Sequence, residues 1–224
     1  MNELGDPALH QLLSRLHAAS QVQEDGLANY FEARKGTIHW GQLDEAARRY
    51  LADKLVALDS DKSLFCHRLC LALRARRVIE VGTSHGVSTL YLAQALKRIE
   101  KAEGRRGVVI GTEYEPEKAR AARTNFAAAG LADYIELREG DLRETLRHID
   151  GAVDFVLMDI WELARAAIEL IAPHLRPGAI VIADNTSAFP ENYTEYFEFL
   201  LDPANAFSTQ TLPFSGGLEL TVKL

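Results

Sequence analysis

The 224-residue sequence contains only two cysteines, Cys66 and Cys70. They stand four residues apart on one helical pattern, and because a zinc site needs more ligands, we expect thiols that pack in the core. No apolar run approaches the ~20 residues that a membrane span requires, and the acidic N-terminus lacks a signal-peptide pattern. We therefore expect a cytoplasmic protein with no membrane partner.

Basic residues are too few and too dispersed for a nucleic-acid interface. The formal net charge is −7 and the pI is about 5.5, and Lys and Arg form no stripe that could follow a phosphate backbone. A small-molecule partner is the better expectation. The chain also lacks internal repeats, linkers and low-complexity segments, and its 47% hydrophobic residues can fill one large core. We expect a single domain over residues 1–224.

Residues 78–90, Val-Ile-Glu-Val-Gly-Thr-Ser-His-Gly-Val-Ser-Thr-Leu, predict a strand, a glycine turn and a helix. The strand is rich in β-branched residues, and apolar residues at helical spacing follow the turn. Glycines let the backbone approach a bound group, and a helix N-terminus turns N–H groups and a positive dipole end toward it. The turn is therefore a candidate ligand cradle. Its G-x-x-x-G spacing differs from the G-x-G-x-x-G of dinucleotide enzymes and disfavours a nicotinamide site.

Strands alternate with helices along most of the chain. The predicted strands are 77–81, 107–112, 134–137, 153–158, 179–183, 207–212 and 218–222. The predicted helices between them are 87–95, 116–129, 142–148, 161–172 and 192–201. Such alternation with short connections is typical of a doubly wound α/β sheet with parallel strands, and the last two strands indicate a β-hairpin. We predict a mostly parallel, seven-stranded sheet that ends in an antiparallel hairpin.

Residues 1–58 predict a helical extension that precedes the α/β core of residues 60–224. A leucine stripe indicates an amphipathic helix over residues 7–24, which packs either on its own domain or on a second subunit. Residues 26–41 are polar and interrupted by aromatic residues, which suits either a lid over a site or a covering loop. A second helical pattern covers residues 43–58, and a third begins at Ser60 or Asp61.

Acidic and amide side chains follow several predicted strands. Because ligands of such a sheet lie beyond the carboxyl ends of its strands, these side chains are candidate site residues. Glu113 can accept hydrogen bonds from two ribose hydroxyls, or it is a capping or solvated residue. Asp141 can accept from an adenine amino group, or it caps the helix that begins at Leu142. Oxygen ligands suited to Mg²⁺, Mn²⁺ or Ca²⁺ come from Asp159, Asp184 and Asn185.

Together these motifs resemble the class I S-adenosylmethionine (SAM)-dependent methyltransferases, specifically the cation-dependent O-methyltransferases related to catechol and caffeoyl-CoA O-methyltransferase. The matching segments are 80–88, 112–116, 138–142, 157–161 and 175–185. The resemblance implies a SAM site formed by Glu80, Gly82, Thr83, Ser84, Gly86, Ser88, Glu113, Asp141, Leu142, Asp159 and Trp161. It also implies a homodimer, and a divalent cation bound by Asp159, Asp184 and Asn185, with Asp159 as the catalytic residue.

The resemblance implies cation-assisted methyl transfer to a hydroxyl of a small phenolic or catechol-like acceptor. Such a transfer is an in-line displacement, so catalysis is mainly alignment, and the metal would lower the pKa of the hydroxyl. Catechol-methylating relatives place a lysine where this chain has Glu162. Three explanations stay open: the metal alone suffices, another group such as His85 takes the proton, or the methyl acceptor is atypical. A SAM-binding protein without turnover is the alternative, and a nicotinamide oxidoreductase is less favoured.

Overall fold

The computed structural model describes residues 3–34, 43–160 and 162–224. Trp161, which the resemblance assigns to the cofactor site, lies outside the described residues. So does the second half of the predicted lid or covering loop, residues 35–41.

The helices and strands alternate as predicted once the central strand begins. In the described residues the helices are α1 (Pro7–Glu32), α2 (Glu45–Leu51), α3 (Ser60–Leu73), α4 (Val87–Glu103), α5 (Pro116–Ala128), α6 (Leu142–Thr145), α7 (Ala164–Ile171) and α8 (Thr194–Leu201). The strands are β1 (Arg77–Val81), β2 (Val108–Glu113), β3 (Ile135–Glu139), β4 (Val153–Met158), β5 (Leu175–Asp184), β6 (Phe207–Leu212) and β7 (Leu218–Lys223).

All seven strands form one sheet in the order β3-β2-β1-β4-β5-β7-β6. The first five strands are parallel, and β7 runs antiparallel between β5 and β6. The strand order reverses between β1 and β4, and this switch point is where open α/β sheets bind ligands. The predicted fold, a doubly wound sheet with an antiparallel C-terminal hairpin, is confirmed.

The central strands β1, β2 and β4 are buried on both faces, which is why they read as nearly continuous apolar runs. Successive side chains of a strand point to opposite faces. Val78 and Phe155 join the cluster that contains residues of α1, α3, α4 and α5. Ile79 and Val156 join the cluster that contains residues of α7 and α8. The two helical layers hold the carboxyl edge of the sheet in a fixed position.

Several boundaries differ from the predicted ones. Helix α1 continues to Glu32 rather than ending at 24, because buried Leu27 extends its apolar face. Helix α2 covers only Glu45–Leu51 of the predicted 43–58, and α7 begins at Ala164 rather than 161. Strand β5 begins at Leu175 rather than 179, and an irregularity in its pairing with β4 separates the early pair from the regular ladder.

The leucine stripe of α1 packs on its own domain. Leu9, Leu12 and Leu13 are buried in the same cluster as α4, and the side-chain amide of Gln94 donates to the carbonyl of Leu4 at 3.0 Å.

The predicted core position of Cys66 and Cys70 is confirmed, and burial raises the pKa of both thiols. Within the described ranges, no helix is both long enough and apolar enough to cross a membrane.

Candidate active site

The glycine turn after β1 is held in a strained backbone path. Gly82, Ser84 and Gly86 have φ angles of +93°, +50° and +79°. A Cβ on Gly82 would lie 2.1 Å from the carbonyl oxygen of Asp159, and a Cβ on Gly86 would lie 2.3 Å from the Phe126 ring. Both glycines are therefore required by close approach, Gly82 to the end of β4 and Gly86 to helix α5.

The Glu80 side chain is buried between the glycine turn and helix α4. Its buried carboxylate accepts hydrogen bonds from the hydroxyls of Thr83 at 3.0 Å and Ser88 at 2.7 Å, and from Thr89. Burial raises the pKa of Glu80 to about 7, although these three hydroxyls act to lower it. The predicted cofactor residues Glu80, Thr83 and Ser88 thus use their side chains to fasten the turn to α4.

A cleft of about 1740 Å³ opens in front of the turn, along the carboxyl edge of the sheet. Pockets for one ligand usually measure ~300–1,000 Å³, so this cleft has room for a cofactor and a second small molecule. The predicted site residues that line it are Gly82, Ser84, Glu113, Asp141, Leu142, Asp159, Asp184 and Asn185. The structure therefore brings these residues together along one cleft, and their binding roles stay predictions.

Glu113, at the end of β2, is only 8% exposed and is oriented by backbone donors. One carboxylate oxygen accepts from the N–H of Ser84 at 2.7 Å, and the other accepts from the N–H of Glu115 at 2.8 Å. Each oxygen keeps a further acceptor position. The side chain thus lines the cleft in a fixed orientation, with acceptor capacity for a pair of hydroxyls.

Asp141 caps helix α6, which was one of its two predicted roles. Its carboxylate accepts from the N–H of Arg143 at 2.9 Å and also pairs with the guanidinium of Arg143. The Arg143 side chain holds the pKa of Asp141 at about 2. Much of the acceptor capacity of this carboxylate is therefore already used at the rim of the cleft.

Asp184, at the end of β5, is paired with a lysine that the sequence did not single out. The ammonium of Lys62, from the first turn of α3, lies 2.8 Å from one oxygen of Asp184 and 3.0 Å from the carboxylate of Asp59. Burial lowers the pKa of Lys62, but its two ion pairs outweigh that effect and raise it. Desolvation and the nearby Asp184 raise the pKa of Asp159, on the floor of the cleft.

Asn185 turns its amide away from a shared metal position. Its Nδ2 donates to Asp184 at 3.0 Å, and its Oδ1 lies so near Gly216 that a Cβ there would be 2.4 Å away. Asp159, Asp184 and Asn185 meet as predicted, but their arrangement with Lys62 does not fit a divalent cation.

Glu162 fastens helix α2 to the wall of the cleft. The guanidinium of Arg48 contacts both of its carboxylate oxygens, at 2.9 and 3.0 Å, and the N–H of Leu43 donates to it at 3.2 Å. His85, the other candidate proton acceptor, lines a void of about 10 Å³ that adjoins the cleft at Gly82, Ser84 and Asp159. Burial lowers the pKa of its imidazole.

Three basic residues at the site were missed from the sequence: Lys62, Arg48 and Lys118. Lys118 lines the cleft near Glu113 and is 9% exposed, and burial lowers its pKa although nearby carboxylates raise it. Lys62 and Lys118 lie in the first turn of a helix and Arg48 in the last turn of α2, positions where a basic residue is ordinarily solvated. No sequence signal distinguishes a solvated lysine from one that tertiary packing buries beside a carboxylate.

Known proteins similar to this chain are methyltransferases. A family model described as "Methyltransferase domain" matches residues 79–186. The catechol O-methyltransferase of Mycobacterium tuberculosis is 35% identical over 132 residues, which cover 58% of this chain and 57% of that protein. The catechol O-methyltransferase of Niastella koreensis is 28% identical over 153 residues, 62% of this chain and 64% of that protein. The chain thus matches less than two thirds of the length of either relative.

Solved structures share the fold. The O-methyltransferase of Bacillus cereus in complex with SAH (S-adenosylhomocysteine) is 19% identical, with a TM-score of 0.64 over 93% of this chain and 100% of that one. The O-methyltransferase TomG of Streptomyces achromogenes in complex with SAM is 22% identical, with a TM-score of 0.64 over 88% of this chain and 96% of that one. The chain thus has the fold of these O-methyltransferases, and its sequence from residue 79 to 186 matches the methyltransferase domain.

Proposed function

We propose that the chain transfers the methyl group of SAM to a hydroxyl of a small phenolic or catechol-like acceptor. The observation that carries this proposal is the single cleft onto which the Gly82 turn, the oriented Glu113 carboxylate and the acidic pair Asp159 and Asp184 all open. The relatives named catechol O-methyltransferase support the class of acceptor.

The cofactor half of the proposed site runs from the glycine turn to helix α6. The ribose hydroxyls donate to Glu113, whose carboxylate is already oriented by the N–H groups of Ser84 and Glu115. The adenine lies near Leu142 and Arg143, which line the cleft. This arrangement orients the cofactor through rigid strand ends, so little ordering is needed when it binds.

The acceptor half occupies the part of the cleft beside α2, Glu162 and Asn192. Methyl transfer from a sulfonium needs the acceptor oxygen in line with the methyl carbon and the sulfur, and it needs little covalent help from the protein. Walls fixed by ion pairs such as Arg48–Glu162 supply that alignment.

The divalent cation and the catalytic role of Asp159 stay predictions. A bound cation would lower the pKa of the acceptor hydroxyl. Lys62 already pairs with Asp184, and Asn185 directs its oxygen to Gly216, so the described side chains do not fit that cation. The proposed reaction is therefore written as alignment of cofactor and acceptor, with no step assigned to a metal.

A methylation screen tests the proposed function. The chain is incubated with SAM and a panel of catechols and monophenols, and products are identified by mass spectrometry, with binding of SAH measured in parallel. We expect a methylated catechol or phenol. Binding of SAH without any methylated product would favour the alternative, a SAM-binding protein without turnover. Absence of SAH binding, with NAD or NADP bound instead, would reject the proposal.

A further inference from the structure

We propose that the ammonium of Lys62 is the resident cation of the acidic site, in the place that a divalent metal was predicted to take. The chain itself then supplies a positive charge to the strand-end carboxylate Asp184. As a consequence, which rests on the proposed function, methyl transfer by this chain needs no divalent cation.

Burial is the first support for this proposal. Lys62 is 2% exposed, and lysines are almost never that buried unless they are paired. Its ammonium lies 2.8 Å from one oxygen of Asp184 and 3.0 Å from Asp59, the distances of close ion pairs. The lysine is therefore a built part of the site and not a surface side chain that happens to reach it.

The charges of the site give the second support. Asp184 is buried, and Asp159 lies close enough that the two carboxylates act on each other and on Lys62. A positive charge near these two carboxylates is favourable, because like charges repel strongly in a poorly solvated site. A divalent cation on the same oxygen of Asp184 would lie next to the ammonium and be repelled by it. The metal and the lysine thus compete for Asp184.

The packing of helix α3 gives the third support, because it fixes the position of Lys62. One turn further along α3, Cys66 is buried, and the imidazole Nδ1 of His67 is 2.8 Å from the carbonyl of Tyr91 on α4. Helix α3 is therefore anchored directly behind the site. On the other side, the Asn185 amide donates to Asp184 and cannot complete a metal shell in this orientation.

Titration with Mn²⁺, followed by electron paramagnetic resonance on the SAH-bound protein, tests the proposal. We expect no specific Mn²⁺ site in the wild type and one site in Lys62→Gln, with affinity at least about tenfold higher once the competing positive charge is gone. Asp184→Asn combined with Lys62→Gln should remove the new site. The matched control is Asp59→Asn, which leaves Lys62 on Asp184 and should bind no Mn²⁺.

The proposal would be overturned if the wild-type chain bound one Mn²⁺ and the single variant Asp184→Asn lost it. A folded Lys62→Gln protein without a Mn²⁺ site would also overturn it, since the lysine would then not be what excludes the metal. Lys62→Met, which keeps the apolar stem, replaces Lys62→Gln if the latter does not fold.

In the methylation assay EDTA should leave the rate unchanged, whereas loss of turnover in EDTA would contradict the proposal. If no acceptor is methylated, the proposed function fails, and the Mn²⁺ titrations still decide the role of Lys62.

Discussion

The guanidinium of Arg48 contacts both carboxylate oxygens of Glu162, at 2.9 and 3.0 Å, and so joins helix α2 to the wall of the cleft. In catechol-methylating relatives, the resemblance places a lysine at the position of Glu162. Here that position serves as an anchor for the helical extension. The wall beside the acceptor therefore depends on an ion pair between the extension and the α/β core.

Replacing Glu162 tests this anchor. Glu162→Lys would face Arg48 with a like charge, so we expect the acceptor KM to rise about tenfold or less and the free energy of unfolding to fall by under ~1 kcal/mol, as for other partly exposed pairs. The Kd of SAH should not change. Glu117→Lys, which disrupts the exposed Glu117–Arg120 pair on α5, is the matched control. Equal acceptor KM values for both variants would show that the Arg48–Glu162 pair does not shape the acceptor wall.

Gly82→Ala tests the close approach of the glycine turn to β4. The new Cβ would lie 2.1 Å from the carbonyl oxygen of Asp159 at a φ of +93°, so we expect a loss of stability on the order of 3 kcal/mol and of SAH binding. Gly130→Ala is the control, because Gly130 also has positive φ but has open space around it. It should cost only about 1 kcal/mol. Urea unfolding measures both, and similar losses would argue against a steric requirement at Gly82.

Glu80 should make stability depend on pH. Its pKa is raised by burial from 4.5 to about 7, so the folded state holds a proton that the unfolded state has released between these values. The contribution is fully present below pH 4.5 and is lost as the pH rises to about 7, with a slope of at most ~1.4 kcal/mol per pH unit. Urea unfolding of the wild type and Glu80→Gln should show the difference between them change across this window. Parallel pH profiles would contradict a raised pKa at Glu80.

The homodimer stays a prediction, and the leucine stripe no longer supports it. Leu9, Leu12 and Leu13 are buried within their own domain, so a second subunit would have to use another surface. Light scattering at micromolar concentration should return twice the chain mass of 24.9 kDa. A mass near 24.9 kDa would contradict the predicted dimer.

Much of the fold and the outline of the site follow from the sequence. The alternation of apolar strands with helices predicts that the strands run parallel. Parallel strands bring Glu113, Asp159 and Asp184 to one edge of the sheet. The orientation of the side chains at that edge, in contrast, could not be predicted from the sequence. The burial of Lys62 and the orientation of the Asn185 amide depend on helices and a hairpin that are distant in sequence. Local patterns carry no information on such contacts.

Calorimetric titration of SAH into the wild type and Glu113→Ala tests the central claim, a SAM site anchored at Glu113, most directly. The account predicts one SAH per wild-type chain and a Kd at least about tenfold higher in Glu113→Ala, since each charge-assisted hydrogen bond contributes ~1.5–3 kcal/mol. Glu117→Ala, exposed on the neighbouring helix α5, should bind like the wild type. No SAH binding by the wild type, or an unchanged Kd in Glu113→Ala, would contradict it.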